Sequence, residues 1–236
     1  MQIKILFDST ALDNRFLTGW GVSYLIDGWL LFDTGEKWDL LSNNMQNMDV
    51  GVSDIKGVVI SHDHWDHKDG LWGLLRENSK IKVYACPNFG RRFKDRVKSY
   101  SVELIEINKF SQIGKNIYTT GEILGRYASR SIYEQSVVLR SRKGLVILTG
   151  CAHPGIIRII ERIKQDMRDK IHIVIGGFHL KGKHGKTIKT IVDKFNHLQV
   201  QKVAPSHCTG KKAIELFKEE FKDRFIDIKV GQTIYV

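Results

Sequence analysis

Residues 57–67 read GVVISHDHWDH, a short β-branched run that breaks directly into His62, His64, Asp66 and His67. Few segments constrain a fold more. A run such as GVVIS has the character of a buried strand. The continuation HKDGLWGLLREN has the apolar spacing of a helix. The donors therefore fall in the turn between a strand and a helix, where open α/β sheets place their sites. Neutral imidazoles and carboxylates bind borderline divalent metals well. On an extended turn His62 and His64 point to one side and suit one ion. Asp66 and His67 follow where the chain curls, so they aim differently and suit a second. Two ions roughly 3.5–4 Å apart are an arrangement used in hydrolysis. Structural zinc prefers closed, Cys-rich tetrahedra, and the chain contains no CxxC.

So dense a cluster needs donors from elsewhere, and three stretches offer them. GLVILTGCAHPG (144–155) is a buried-type strand ending in Cys151 and His153. IHIVIGGFHL (171–180) is a second, with His179 just past its end. KVAPSHCTG (202–210) is a third, with His207 and Cys208 beyond it. Polar groups displayed at the ends of adjacent strands converge.

FDTG (32–35), the HxHxDH of 62–67, TGCAHPG (149–155) and SHCTG (206–210) together resemble the metallo-β-lactamase fold superfamily, in its order and over nearly the whole chain. The resemblance implies that Asp33 buttresses the histidines of the metal loop. It also implies that His62, His64 and a third histidine hold one ion, while Asp66, His67 and His207 hold the other. Two departures stand out. No histidine lies between His67 and His153, where the superfamily usually has its third and this chain reads TTGEI (119–123). The usual bridging TGD is here TGC. His153 is inferred to supply the missing ligand. Cys151 bridges as a thiolate, ligates one ion or lines the site. TGCAHPG, GGFHL and SHCTG look like the branch that includes the dihydropterin-methyl-ribofuranosylaminobenzene 5′-phosphate synthase. Within that branch His179 is expected in the pocket, contacting substrate or assisting proton transfer.

The expected cofactor is a pair of divalent ions, zinc foremost, with iron and manganese also acceptable to such donors. The chemistry expected is metal-dependent hydrolysis of a small anionic ester-type substrate, with Asp66 and His179 as catalytic groups. A synthase-type transferase releasing diphosphate is the alternative, and a metal-holding redox or binding module a third reading.

The formal charge of +11 raises the question of nucleic acid. The densest basic run, RRFKDRVK (91–98), spreads its charges around a helix, with Phe93 and Val97 facing inward. No nucleic-acid-binding module signature accompanies it, which argues against that partner. KGKHGKT (181–187) resembles a phosphate loop, but Leu180 stands where the first glycine would be needed. Lys181, Lys183 and His184 remain candidate anion binders beside His179, with a solvated basic loop as the competing reading. A small anionic substrate is the expected partner, and oligomeric state is left open.

No apolar run approaches the roughly 18–20 residues of a membrane span, and the chain opens on a strand, MQIKILF. Three cysteines, two of them in candidate motifs, suit a reducing compartment, so a cytoplasmic location is expected. At 236 residues with 42% hydrophobic content, one domain spanning 1–236 is expected. Strands are predicted at 3–7, 22–26, 29–32, 57–60 and 81–84, with helices at 37–47, 67–77 and 88–97. The second half predicts strands near 103–107, 115–119, 134–141, 144–149, 172–176, 202–205 and 226–229, with helices at 155–168, 185–198 and 210–222. Two β-then-α halves imply an α/β fold, a four-layer αββα sandwich.

Overall fold

The computed structural model, which describes all 236 residues, divides into two compact units. The first comprises Met1–Lys109 with Ile228–Val236, and the second Phe110–Asp227. The first unit contains β1 (Gln2–Phe7), β2 (Ser23–Ile26), β3 (Leu30–Phe32), α1 (Trp38–Asn47), β4 (Gly57–Val59), α2 (Trp65–Lys68), α3 (Leu71–Glu77), β5 (Lys82–Ala85), α4 (Arg91–Ser99) and β6 (Glu103–Glu106). The second contains β7 (Ser111–Gly114), β8 (Ile117–Thr119), β9 (Ile123–Tyr127), β10 (Arg130–Glu134), β11 (Val137–Ser141), β12 (Gly144–Thr149), α5 (Ile156–Met167), β13 (Ile171–Gly177), α6 (Gly185–His197), β14 (Lys202–Ser206) and α7 (Lys211–Phe221). The chain ends with β15 (Thr233–Tyr235), which returns to the first unit.

The first sheet runs β15-β1-β2-β3-β4-β5-β6, antiparallel from β15 to β3 and parallel from β3 to β6. The register Phe32↔Val59 carries Asp33 and Ser61 to the same end of β3 and β4. The predicted helix 67–77 is broken into α2 and α3 at Asp69–Gly70. At the break Gly70 N donates to the Gly35 carbonyl at 3.2 Å instead of within the helix, and a Cβ on Gly70 would stand 2.1 Å from the Thr34 carbonyl oxygen. On α4, Phe93 and Val97 are buried as their spacing predicts. Cys86 is a buried thiol just beyond β5.

The second sheet runs β14-β13-β12-β11-β8-β7, with β12, β13 and β14 mutually parallel. Strands β12 and β13 are buried at every position, which is why they read as continuous apolar runs without alternation. Helix α5 buries Ile156, Ile159, Ile160, Ile163 and Met167, one apolar stripe at helical spacing. Beside it Phe178, Phe195, Phe217 and Phe221 form an aromatic cluster, with the Phe195 and Phe217 rings 5.0 Å apart and nearly edge to face. Phe178 immediately precedes His179, so this cluster also seats the end of β13. Phe195→Ala should lower unfolding free energy by about 3–5 kcal/mol, read as a reduced denaturant midpoint. An unchanged midpoint would mean that the cluster is loosely packed.

Two expectations are corrected. The strand predicted over 134–141 is two elements: β10 ends at Glu134 and pairs with β9 in a separate two-stranded ribbon, and β11 starts at Val137. Residues 226–229 form no strand. Ile226 N donates to the Val203 carbonyl, and the edge strand forms later, at β15, after the turn at Gly231.

Candidate metal centre

In the first unit the donors follow β4, and a buried carboxylate organises them. Asp33 is wholly buried. Its oxygens accept hydrogen bonds from Ser61 N at 2.6 Å and Ser61 Oγ at 2.7 Å, and Oδ2 lies 2.6 Å from His67 Nδ1. Burial pushes the Asp33 carboxyl above the usual carboxylate range, opposed by His67 and the two Ser61 donors. An acceptor at Nδ1 fixes the His67 tautomer and leaves the Nε2 lone pair for a cation. Asp66 Oδ2 lies 3.5 Å from that Nε2. Ser61 Oγ also meets His62 Nδ1 at 2.8 Å, so the His62 Nε2 lone pair turns the other way. It faces His64 Nδ1 at 3.1 Å.

Such a set of inward-turned imidazole nitrogens beside a carboxylate fits a divalent cation. The backbone holds it tightly. Thr34 donates to the His67 carbonyl through both N and Oγ1. A Cβ on Gly21 (φ 114°) would fall 1.8 Å from the Asp66 carbonyl oxygen.

In the second unit the organising group is Glu134, which sequence reasoning missed. It is buried at the end of β10, and Oε1 accepts from Cys151 N at 2.9 Å and Ala152 N at 2.7 Å. Oε2 accepts from His153 N at 2.8 Å and lies 2.9 Å from His153 Nδ1. Burial raises the Glu134 pKa, but His153 and the backbone donors outweigh it and hold the group below the usual carboxylate range. His153 is thereby oriented as His67 is, with Nε2 available to a metal.

Cys151 Sγ lies 3.3 Å from His207 Nε2. The donor atoms of Cys151, His207 and Cys208 fall within 4.8 Å of one another, as do those of Cys151, His153 and His179. Cys208, which with Cys151 gave the redox or binding module its weight, belongs to this cluster. Burial raises its thiol pKa, yet hydrogen bonds from Cys151 and His179 and the charges of His207 and His179 bring it well below the usual range. His179 Nδ1 is buried without a hydrogen-bond partner. Three adjoining residues, Ala152 (φ 60°), His179 (φ 52°) and His207 (φ 49°), adopt left-handed backbone, as does Asp33 (φ 59°). Left-handed backbone costs a non-glycine residue energy, and at these four positions it sets the direction of the side chains around the donors.

A cavity of about 1160 Å³ opens within the second unit and is lined by His153 and His179. Of the anticipated anion binders, Lys183 and His184 line it and Lys181 does not. The donors of the second unit lack a full carboxylate ligand but offer two thiols and three imidazoles, a softer set that suits zinc or iron.

Residues 21–207 match the metallo-beta-lactamase superfamily. The 7,8-dihydropterin-6-methyl-4-(beta-D-ribofuranosyl)-aminobenzene-5′-phosphate synthase of Methanocaldococcus jannaschii is 27% identical, over 96% of this chain and 93% of its own. An uncharacterized protein of the same organism is 32% identical, over 99% of both chains. A solved structure described as a metal-dependent hydrolase of the beta-lactamase superfamily is 30% identical, with a TM-score of 0.84 over 100% of this chain and 99% of its own. Human tRNase Z, short form, shares the fold at 14% identity and a TM-score of 0.65, over 100% of this chain and 99% of its own. No helix is long and apolar enough to cross a membrane. With two mixed sheets, helices attached to each, and a sequence match that runs through both donor sets, the chain belongs to the metallo-beta-lactamase superfamily and has its αββα fold.

Proposed function

We propose that the protein is a metal-dependent hydrolase whose two donor sets serve one dinuclear centre, acting on a small anionic ester-type substrate. The two units then act as one domain. The observation that carries the reading is the paired design of the donors. In each unit a buried carboxylate, Asp33 or Glu134, fixes the tautomer of a histidine whose other nitrogen is left to ligate. His62, His64 and His153 would hold one ion and Asp66, His67 and His207 the other, with Cys151 beside both. When bound, such ions polarise a carbonyl or phosphoryl oxygen and make a nucleophile available at neutral pH.

The chain's own residues do the rest. Asp66 orients the attacking group, and His179 carries a proton to or from the substrate at its ring nitrogen. The unpartnered Nδ1 and the place of His179 on the cavity wall support that role. Zinc suits the donors best. All three cysteines are buried and none is in a disulfide, in keeping with a cytoplasmic protein.

A second reading has its own support. The similarity to the Methanocaldococcus synthase runs over nearly the whole of both chains, and the same residues would serve a transferase that releases diphosphate.

Mass spectrometry of native protein, prepared without chelator or affinity tag, tests the centre. About two equivalents of metal are expected, falling to one or fewer in His153→Ala. His179→Ala should keep the metal and lose turnover by roughly a hundredfold or more. One equivalent or none in the native protein would overturn the dinuclear centre, and full occupancy with no turnover of any ester would favour the redox or binding module. Release of diphosphate as the pterin part of a pterin diphosphate is transferred to an aminobenzene acceptor would select the synthase.

A further inference from the structure

The cavity of the second unit carries more chemistry than the donors at its base require. It is bounded by the tip of the β9–β10 ribbon, the 152–158 segment, residues 178–180 and one side of α6 from Lys186 to Lys194. Those eight steps along a helix correspond to about 12 Å. Its volume of about 1160 Å³ exceeds the roughly 300–1,000 Å³ of an ordinary small-ligand pocket. The site is built for a molecule with a body, not for a bare ion.

Its walls differ sharply in chemistry. Arg126, Arg158, Lys183, Lys186 and Lys194 line it against a single carboxylate, Glu161. Arg158 is occupied, donating to the Leu124 carbonyl at 2.8 Å and tying the ribbon to α5. Arg126, Lys183, Lys186 and Lys194 take part in none of the fold's ion pairs. Like charges gathered without counter-charges repel, and an anionic ligand relieves that repulsion. The remaining wall is apolar: Ile156 and Ile157 on α5 and Ile191 on α6. Tyr127 completes it, with its ring edge-on to His153 at 5.4 Å and to His179 at 5.9 Å.

We infer that this cavity is the substrate subsite for a two-part organic phosphate. An apolar, ring-bearing body lies against Ile157, Ile191 and Tyr127, and Arg126, Lys183 and Lys186 bind the phosphate. A neutral apolar ligand would leave the cations unmatched. Inorganic phosphate would leave the apolar wall wet. The assignment rests on the proposed hydrolase only in calling the ligand a substrate; the binding itself does not depend on turnover.

The test is calorimetric binding of phenyl phosphate to the full-length protein with its native metal content, beside phenol and inorganic phosphate. A Lys183→Ser/Lys186→Ser double variant and Arg126→Ser are compared with a control, Arg92→Ser/Lys98→Ser on α4. Metal content is measured in each. Phenyl phosphate should bind more tightly than either fragment. Its Kd should weaken at least about tenfold in the double variant and several-fold in Arg126→Ser, with the control within twofold of native. Equal binding of phenyl phosphate and inorganic phosphate would overturn the two-part site. So would a double variant that binds as native protein does. Ester turnover with KM unmoved by these variants would sink the subsite and leave the hydrolase standing. Charge-dependent binding with no turnover of any ester would do the reverse.

Discussion

Asp33→Ala is expected to weaken metal binding by about tenfold to a hundredfold, the usual scale for losing the partner that orients a metal-binding histidine. The cause is local. Without the carboxylate, His67 Nδ1 loses its acceptor, the tautomer is no longer fixed, and Ser61 N and Oγ lose theirs within a fully buried pocket. Ser61 Oγ also meets His62 Nδ1, so the disturbance reaches a second donor. Asp33→Asn keeps the volume and an acceptor oxygen, and should fall between native and alanine. Competition with a chromophoric chelator gives the affinities. Native affinity in Asp33→Ala would mean that His67 is oriented by the α2 backbone alone.

Glu134→Ala should have the larger effect on stability. Three buried backbone N–H groups and His153 Nδ1 converge on this carboxylate. Removing it strands these buried donors, at a cost of roughly 3–5 kcal/mol, the scale for deleting one partner of a buried charged pair. Chemical denaturation measures the loss. Glu134→Gln retains one acceptor oxygen but turns an NH₂ toward donors, so its midpoint should lie between the two. If Glu134→Ala unfolds as the native protein does, the loop is held by its neighbours and the carboxylate is a passenger.

The contrast between these two carboxylates explains what the sequence made readable. Asp33 sits in FDTG, directly after an apolar strand, and its role came with a resemblance carried by four motifs. Glu134 lies nineteen residues before His153, in the polar stretch YEQS, with no spacing to mark it. Its importance arises only because the end of β10 delivers it beneath the Cys151–His153 turn. The ribbon itself was missed for a related reason. Leu124, Arg126 and Tyr127 are exposed while Ile123 and Gly125 are buried, so its alternation is weak and rich in charge. Buried strands β12 and β13 were legible because both their faces are apolar. The break between α2 and α3 was not, because there Gly70 N donates to the Gly35 carbonyl, a partner remote in sequence. The cavity was visible only as KGKHGKT. Arg126 and Tyr127 come from the ribbon, some sixty residues earlier, and no pattern in the chain links the two.

The pairing of β15 with β1 carries a consequence for synthesis on the ribosome. Strand β1 is made before the second unit, yet the strand that covers its outer edge lies at 233–235, after all of that unit. Translation at roughly 5–20 residues per second leaves that edge unpaired for on the order of ten seconds. An open strand edge is a template for other nascent chains. Each molecule therefore carries an open edge until 233–235 are made, and a ribosome that stalls ahead of them would release a chain with its first sheet unfinished.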